Sequence, residues 1–244
     1  MTRRLIILTN ALALAGGLGC SQREKQDDFA ISRAFVKPAT LAVAPVLNFS
    51  GEFNFDSIAA ADLLASELTF VEGVTVLPVN RIMAVLAAQG RTQIESPAHA
   101  LEVCEAVGAD GILVAGITEY DPYTPVVGLI LQMYSPSHET HESFEPILAA
   151  RMAEPFIVSH MADPMLPTSQ VQIIENGAHD KVQKAVREYA DPRDGAESHL
   201  GWRQYLKVQS LFLRFCWNDA LTRLMKQERS RRMLLTAAAS TEEP

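Results

Sequence analysis

Two short stretches hold residue types that could do chemistry. His138, Glu139, Thr140, His141 and Glu142 crowd two imidazoles and two carboxylates into five positions. A zinc-protease helix needs two histidines four residues apart on one face, and these are three apart, behind Pro136 in polar surroundings. The cluster therefore reads as a solvated loop, and no metal or other cofactor is assigned. The second stretch is Glu119, Tyr120, Asp121 and Tyr123, which follows the longest apolar run of the chain. Strand ends of α/β sheets are where such folds present ligand-binding groups. Together with Asn48 and Ser50, at the end of an earlier apolar run, these four are the candidate partner-binding residues. A corner held by ordinary turn chemistry is the alternative reading of the same residues.

No catalytic residue is assigned, and the chain is read as a non-enzyme. FSGEFNF lacks the Lys-Ser or Lys-Thr of a phosphate loop, and no Gly-flanked serine elbow accompanies the Ser, His and Asp residues present. Cys20, Cys104 and Cys216 are too scattered for a zinc site or a disulfide framework. Cys104 and Cys216 read as buried thiols, with a bridge between them as the alternative. A formal net charge of -8 gives no electrostatic reason to expect nucleic acid. The basic run Arg223, Lys226, Arg229, Arg231 and Arg232 suits the C-terminal end of a helix, whose macrodipole favours cations. Contact with anionic headgroups or cell-wall polymer is its functional alternative.

Cys20 belongs to a different pattern. Arg3 and Arg4 precede an apolar run from Leu5 to Leu18, and small residues then lead to Cys20, the layout of an export signal. The run is shorter than the roughly 20 residues a membrane-crossing helix needs. Gly17-Leu18-Gly19-Cys20 resembles the lipobox of bacterial lipoproteins, with Gly17 and Leu18 in the reverse of the usual order. The resemblance implies that Cys20 is the lipid attachment site and that residues 1–19 are removed. Ser21, which is not Asp, implies by the same resemblance an outer-membrane location facing the periplasm. Removal of Arg3 and Arg4 leaves 19 basic against 29 acidic residues, a charge of -10. Residues 20–38 are polar and end in Pro, the composition of a tether.

Beyond that tether the pattern is that of an ordered α/β unit over 39–136. LAVAPVLN at 41–48 predicts a buried strand and a turn. Asp56 is placed to cap a helix with Ile58, Ala61, Leu64, Ala65 and Leu68 on one face. Gly73 separates that helix from the strand VTVLPVN. Asn80 is placed to cap the next helix, with Ile82, Val85 and Leu86 inward and Gly90 at its end. Ser96-Pro97 opens a third helix, closed by Gly108. Strands follow over 111–121 and 126–135. The order is strand-helix-strand-helix-helix-strand-strand, a small mixed sheet with helices packed on it.

Residues 137–168 carry a Pro-rich loop with one short strand near Phe156 to Val158. A helical extension is predicted over 169–235. Its first helix spans Val171 to Tyr189, with Ile174, Ala178, Val182, Ala185 and Tyr189 on one side. Its second runs over 198–230, with Trp202, Leu206, Leu213, Trp217 and Leu224 opposite a polar stripe of Arg203, Lys207, Ser210, Arg214, Asn218 and Thr222. That helix covers its own domain or docks a partner. Residues 236–244 read as a disordered tail.

The segments LAVAPVLNFSG, ADLLASELT, VTVLPVNRIMAVLAAQG and AVGADGILVAGITEYD resemble those of a group of bacterial envelope proteins. The group includes the curli-secretion lipoproteins, the lipoprotein activators of penicillin-binding proteins and the amino-terminal domain of the Tol-system periplasmic protein. The resemblance implies an α/β fold and a noncatalytic role, through binding a protein partner or through self-association into rings. It carries over no active-site residue. A secretion pore would need alternating strands of about ten residues, and 126–135 has the length without the alternation. The reading is a lipid-anchored envelope protein serving as a protein-binding accessory or assembly factor. A homo-oligomeric secretion or transport component of the outer membrane is the alternative.

Overall fold

The computed structural model describes residues 29–121, 123, 125–136, 166–195 and 199–239. Cys20 with the segment read as an export signal, the His138 to Glu142 cluster and the strand expected near Phe156 lie outside the described residues. Among the described residues no helix is long and apolar enough to cross a membrane.

Six strands form one mixed sheet: β1 (Ala39–Val43), β2 (Leu47–Asn48), β3 (Val74–Val76), β4 (Gly111–Asp121), β5 (Val126–Tyr134) and β6 (Ser169–Asn176). The order is β3-β1-β4-β5-β6, with β2 also on β4. β1 pairs in parallel with β3 and β4, whereas β4, β5 and β6 form an antiparallel meander. β1 and β2 lie along the same edge of β4, first at Gly111 to Leu113 and then at Gly116 and Ile117. Pro45 has no N–H to donate and marks the break between them.

The helices are α1 (Ser57–Leu68), α2 (Val79–Ala88), α3 (Pro97–Val107), α4 (Asp180–Ala190) and α5 (Gln209–Ala239), with a 3-10 turn at Gly201–Leu206. The expected caps at Asp56 and Ser96 form: Asp56 Oδ1 accepts from the Ile58 and Ala59 N–H groups at 3.0 and 2.9 Å, and Ser96 Oγ accepts from the His99 N–H at 3.2 Å. Gly108 closes α3 in the left-handed region, at φ +68°. The cap expected at Asn80 does not form, because α2 starts one residue earlier, behind Pro78, without a side-chain cap bond.

α1 and α5 cover one face of the sheet and α2 and α3 the other. Leu41, Val43, Leu113, Ala115, Ile117, Leu129 and Met133 pack with Leu64, Leu68, Phe212, Trp217 and Leu224 on the first face. Ala42, Ala44, Ile112 and Val114 pack with Ile82, Leu86, Val103 and Cys104 on the second. Cys104 and Cys216 are both buried and unpaired. They belong to these separate cores, so the sheet stands between them and the bridge does not form. Burial pushes the Cys104 thiol up to about 12, with Asp110 and Glu105 adding to it.

Two stretches differ from their sequence expectations. The helix predicted over Val171 to Tyr189 divides into β6 and α4, with Gly177 between them. SQVQIIEN alternates polar and apolar residues from Gln170 to Ile173, a strand's period of two, and its Ile173 is buried while Ile174 is exposed. The helix predicted over 198–230 becomes the 3-10 turn and α5, which runs on to Ala239. Within the stretch read as a tether, Ile31, Ala34 and Phe35 are buried, and Ile31 forms an isolated parallel bridge with Val71.

Two buried carboxylates fix α5 in place. Glu67 of α1 is fully buried and meets Arg214 through Nε and Nη2, both at 3.0 Å, with Asn218 Nδ2 donating at 3.3 Å. Arg193 lies 3.8 Å away and stacks 3.6 Å above the centre of the Tyr189 ring. Glu228 of α5, also fully buried, accepts from Ser169 Oγ at 2.7 Å, from Arg231 and from Arg232 at 2.6 Å. The basic run is largely consumed here: Arg223 meets Asp219, Arg229 donates to the Arg33 carbonyl, and Arg231 and Arg232 hold Glu228.

A buried ion pair that loses one member leaves the other uncompensated, at about 3–5 kcal/mol. Glu67→Ala is therefore expected to lower the unfolding free energy of the purified chain by about that amount in urea titration. Burial would raise the Glu228 pKa, but the hydrogen bond and charge of Arg231, the Ser169 hydroxyl and Arg232 outweigh it and hold the carboxyl below its usual 4.5. A carboxyl with a lowered folded pKa stabilises the fold above its unfolded pKa and loses that contribution as pH falls through the folded value. The stability gap between the parent chain and Glu228→Gln is accordingly expected to be largest near neutrality and to shrink as urea midpoints are taken toward pH 3.

Candidate functional site

β2 pairs with β4 at Gly116 and Ile117, and the six residues singled out from the sequence stand at or just beyond the carboxyl ends of these two strands. Asn48 ends β2 and Ser50 lies in the loop after it, while Glu119, Tyr120 and Asp121 end β4 and Tyr123 lies in the turn to β5. Phe49 N–H donates to the Ile117 carbonyl at 2.8 Å and continues the β2 pairing one residue into the loop. Phe55 of the loop meets Tyr120 of the hairpin edge to face, with centroids 5.0 Å apart.

Asn48 organises the loop. Its Oδ1 accepts from the Ser50 N–H at 3.1 Å and the Ser50 hydroxyl at 2.7 Å, and its Nδ2 donates to the Glu52 carbonyl at 2.8 Å. Ser50 Oγ accepts from the Glu52 N–H at 3.2 Å, and Glu52 Oε1 from the Asn54 N–H at 3.1 Å. Gly51, at φ +78°, supplies the left-handed backbone that this winding path needs. In the hairpin Asp121 Oδ1 accepts from the Tyr123 N–H at 2.8 Å, the local bond of an Asx turn. Four of the six candidates thus take part in these local turn bonds. Tyr120 is half-buried, and burial, then the Glu52 carboxylate, push its phenol up to about 12.

What this framework presents to solvent is aromatic and acidic. Phe53 is fully exposed, Tyr123 is 95% exposed and Phe49 is 64% exposed. Ile58, expected on the buried face of α1, is exposed at the start of the helix. The loop over 47–58 and the hairpin over 118–125 carry Glu52, Asp56, Glu119 and Asp121 and no Lys or Arg. Phe49 lies across Gly116: a Cβ there would stand 2.8 Å from the ring. Gly128, across from Glu119 on β5, is equally hemmed in, with Thr118 Oγ1 2.7 Å from the place of a Cβ. Phe49, Phe53 and Gly116 were not singled out from the sequence; three Phe within LNFSGEFNF, a turn segment, were the available signal.

Among the described residues no three His, Cys, Asp or Glu side chains are placed to hold a metal ion. The exposed acidic groups are dispersed along two loops.

No family model matches the chain, and no curated protein matches it. Among solved structures it is similar to the C-terminal domain of LpoB from Salmonella enterica, at 16% identity and a TM-score of 0.35 over 41% of this chain and 74% of that one. It is also similar to lipoprotein GNA1162 from Neisseria meningitidis, at 22% identity and a TM-score of 0.31 over 40% of this chain and 70% of that one. A third similarity, to the hypothetical protein CT253 from Chlamydia trachomatis, spans 83% of this chain and 99% of that one, at 10% identity and a TM-score of 0.32.

Removing the Asn48 side chain removes three hydrogen bonds from one loop. At roughly 0.5–1.5 kcal/mol for a typical bond, reduced because the group is exposed to water, Asn48→Ala is expected to lower global stability by about 1 kcal/mol. The local effect is larger in kind: amide hydrogen exchange at Ser50 and Glu52 is expected to accelerate well beyond that of β4.

Proposed function

We propose that this chain is a lipid-anchored bacterial envelope protein whose α/β domain is a noncatalytic docking module, presenting the 47–58 loop and the 118–125 hairpin to a protein partner. Cys20 is its lipid attachment site, and the anchored face is the periplasmic side of the outer membrane. The observation that carries the docking reading is the exposure of Phe49, Phe53 and Tyr123 on loops whose backbone is fixed by Asn48, Ser50, Glu52 and Asp121. Large apolar groups on a mobile loop must be ordered when they bind, whereas a pre-fixed loop avoids much of that cost. Aromatic anchors of this kind supply much of the energy in protein interfaces.

The anchoring reading rests on Arg3 and Arg4, the short apolar run and the Gly17-Leu18-Gly19-Cys20 segment. A lipid at Cys20 sits only a short stretch before Phe29, the first described position, so the domain it holds remains close to the membrane surface. The chemistry at the site supports a noncatalytic role: Asn48, Ser50 and Asp121 are engaged in turn bonds, and the two loops contain no His, Cys, Lys or Arg.

Both halves are tested in cells of the source bacterium or a Gram-negative host with its cognate partners. Metabolic labelling with an alkyne palmitate is expected to mark the parent chain and not Cys20→Ala, which should leave the membrane fraction; labelling of the variant, or its retention with membranes through an uncleaved signal, overturns the anchor. Phe53→Asp is expected to abolish co-purification of the partner at unchanged protein level, and an unchanged complex overturns the docking surface.

A further inference from the structure

The exposed aromatic residues stand on a surface of one charge, and that combination restricts what can sit on it. Glu52, Asp56, Glu119 and Asp121 accompany Phe49, Phe53 and Tyr123, with no Lys or Arg in either loop. Some of these carboxylates have local work: Asp56 caps α1 through Oδ1 and Asp121 closes the hairpin turn through Oδ1. Those bonds come from backbone amides and leave the negative charge in place. Glu119 is exposed at the rim of β4. Gly116 under Phe49 carries no side chain, so the ring lies close on the sheet, and Gly128 leaves Glu119 without a side chain directly across from it on β5.

Among the described residues, other candidate surfaces are engaged within the fold. α5, whose polar stripe could have served a partner, turns Arg214 and Asn218 onto Glu67 within the fold. The basic end of α5 holds Glu228, Asp219 and the Arg33 carbonyl. The outer edge of β6 begins with an amide already in use, since the Gln170 N–H donates to Gln227 Oε1 at 3.1 Å.

Resting on the docking reading above, we infer that the occupant of this surface is a Lys- and Arg-containing segment of a partner protein. Guanidinium and ammonium groups are the side chains that gain from both parts of the surface at once. They are attracted to the faces of Phe and Tyr rings and to carboxylates, and their aliphatic stems pack against apolar surface such as Phe49. An acidic or phosphorylated partner would bring like charge onto four carboxylates. A purely apolar partner would desolvate Glu52 and Glu119 without compensation.

The experiment places a photo-crosslinking phenylalanine analogue at Phe53 or Tyr123 of the full chain in cells, and maps the captured segment by mass spectrometry. The same capture is repeated in the double variant Glu52→Gln with Glu119→Lys, in which the amide introduced at position 52 keeps an acceptor for the Asn54 N–H. The expected result is a captured segment of net positive charge from another protein. Its yield should fall about tenfold in the double variant, and several-fold when membranes are crosslinked at about 0.5 M salt, where exposed charges are screened within a few ångströms. A neutral or acidic segment, or a yield indifferent to the double variant, overturns the inference and leaves the docking surface standing. Capture of a second copy of this chain overturns it in favour of self-association. Absence of any capture at both positions overturns the docking reading itself.

Discussion

The structure depends on the burial of β4 and β5 under helices that do not reach equally far on the two sides. β4 is hydrogen-bonded along both edges and buried from Gly111 to Ile117. Each face of such a strand must be covered, because a strand that is apolar on both sides has no solvent-compatible face. On one side α1 and α5 extend cover across β4 and β5 as far as Ile173 of β6. On the other side the core formed with α2 and α3 comprises Ala42, Ala44, Ile112, Val114 and Tyr134, toward the start of β4 and the end of β5. Beyond it, along the second half of β4, the role of cover falls to the loop after β2.

That asymmetry explains the odd composition of the site. A side chain at position 116 would project from the part of the sheet that the two helices leave bare. Gly116 instead lets the Phe49 ring lie against the backbone, where a Cβ would come within 2.8 Å of it. The ring covers the sheet on one side and remains 64% exposed on the other. One residue thus joins the packing of the domain to the surface a partner would meet. The loop can hold this position because Asn48 ties its start to Ser50 and Glu52 and because Phe55 anchors it on Tyr120. Fold and surface are therefore not separable here: loosening the loop would both uncover β4 and disperse the aromatic patch.

The two buried carboxylates answer the complementary problem on the helical side. α5 is 31 residues long, and hydrophobic contact alone permits it to slide or rotate over the sheet. Glu67 engages it from α1 through Arg214 and Asn218, and Glu228 ties it to the first residue of β6 through Ser169. Charge pairs in an interior gain little net free energy over apolar packing of the same shape. What they supply here is a register, since a helix displaced by one turn would part Glu67 from Arg214 and Glu228 from Ser169, while Arg231 and Arg232 would move with Glu228. Arg193, stacked on Tyr189 and Phe29, brings the end of α4 and the start of the described chain to the same point.

The parts of this design legible in the sequence are those whose cause is local. Asp56, Ser96-Pro97 and Gly108 act on their own helices, and long apolar runs at 111–121 and 126–135 leave few alternatives to buried strands. The same is true of the candidate residues: Asn48, Ser50 and Asp121 stand out because short polar side chains at strand ends make turns. What escaped has its cause far away. Ser169 to Asn176 reads as helix from sequence because Ile174, Val182 and Tyr189 share a helical spacing, and only the pairing with β5 decides for a strand in which Ile173 points inward. Arg214 and Asn218 read as a solvated stripe, since their partner Glu67 lies far earlier in the chain, at separations of 147 and 151. Phe49 escapes for the same reason, because its meaning depends on a glycine in another strand. A surface built this way is recognised only when the sheet is assembled, which is why the acidic and aromatic character of the two loops becomes an argument about a partner only after β2 is placed beside β4.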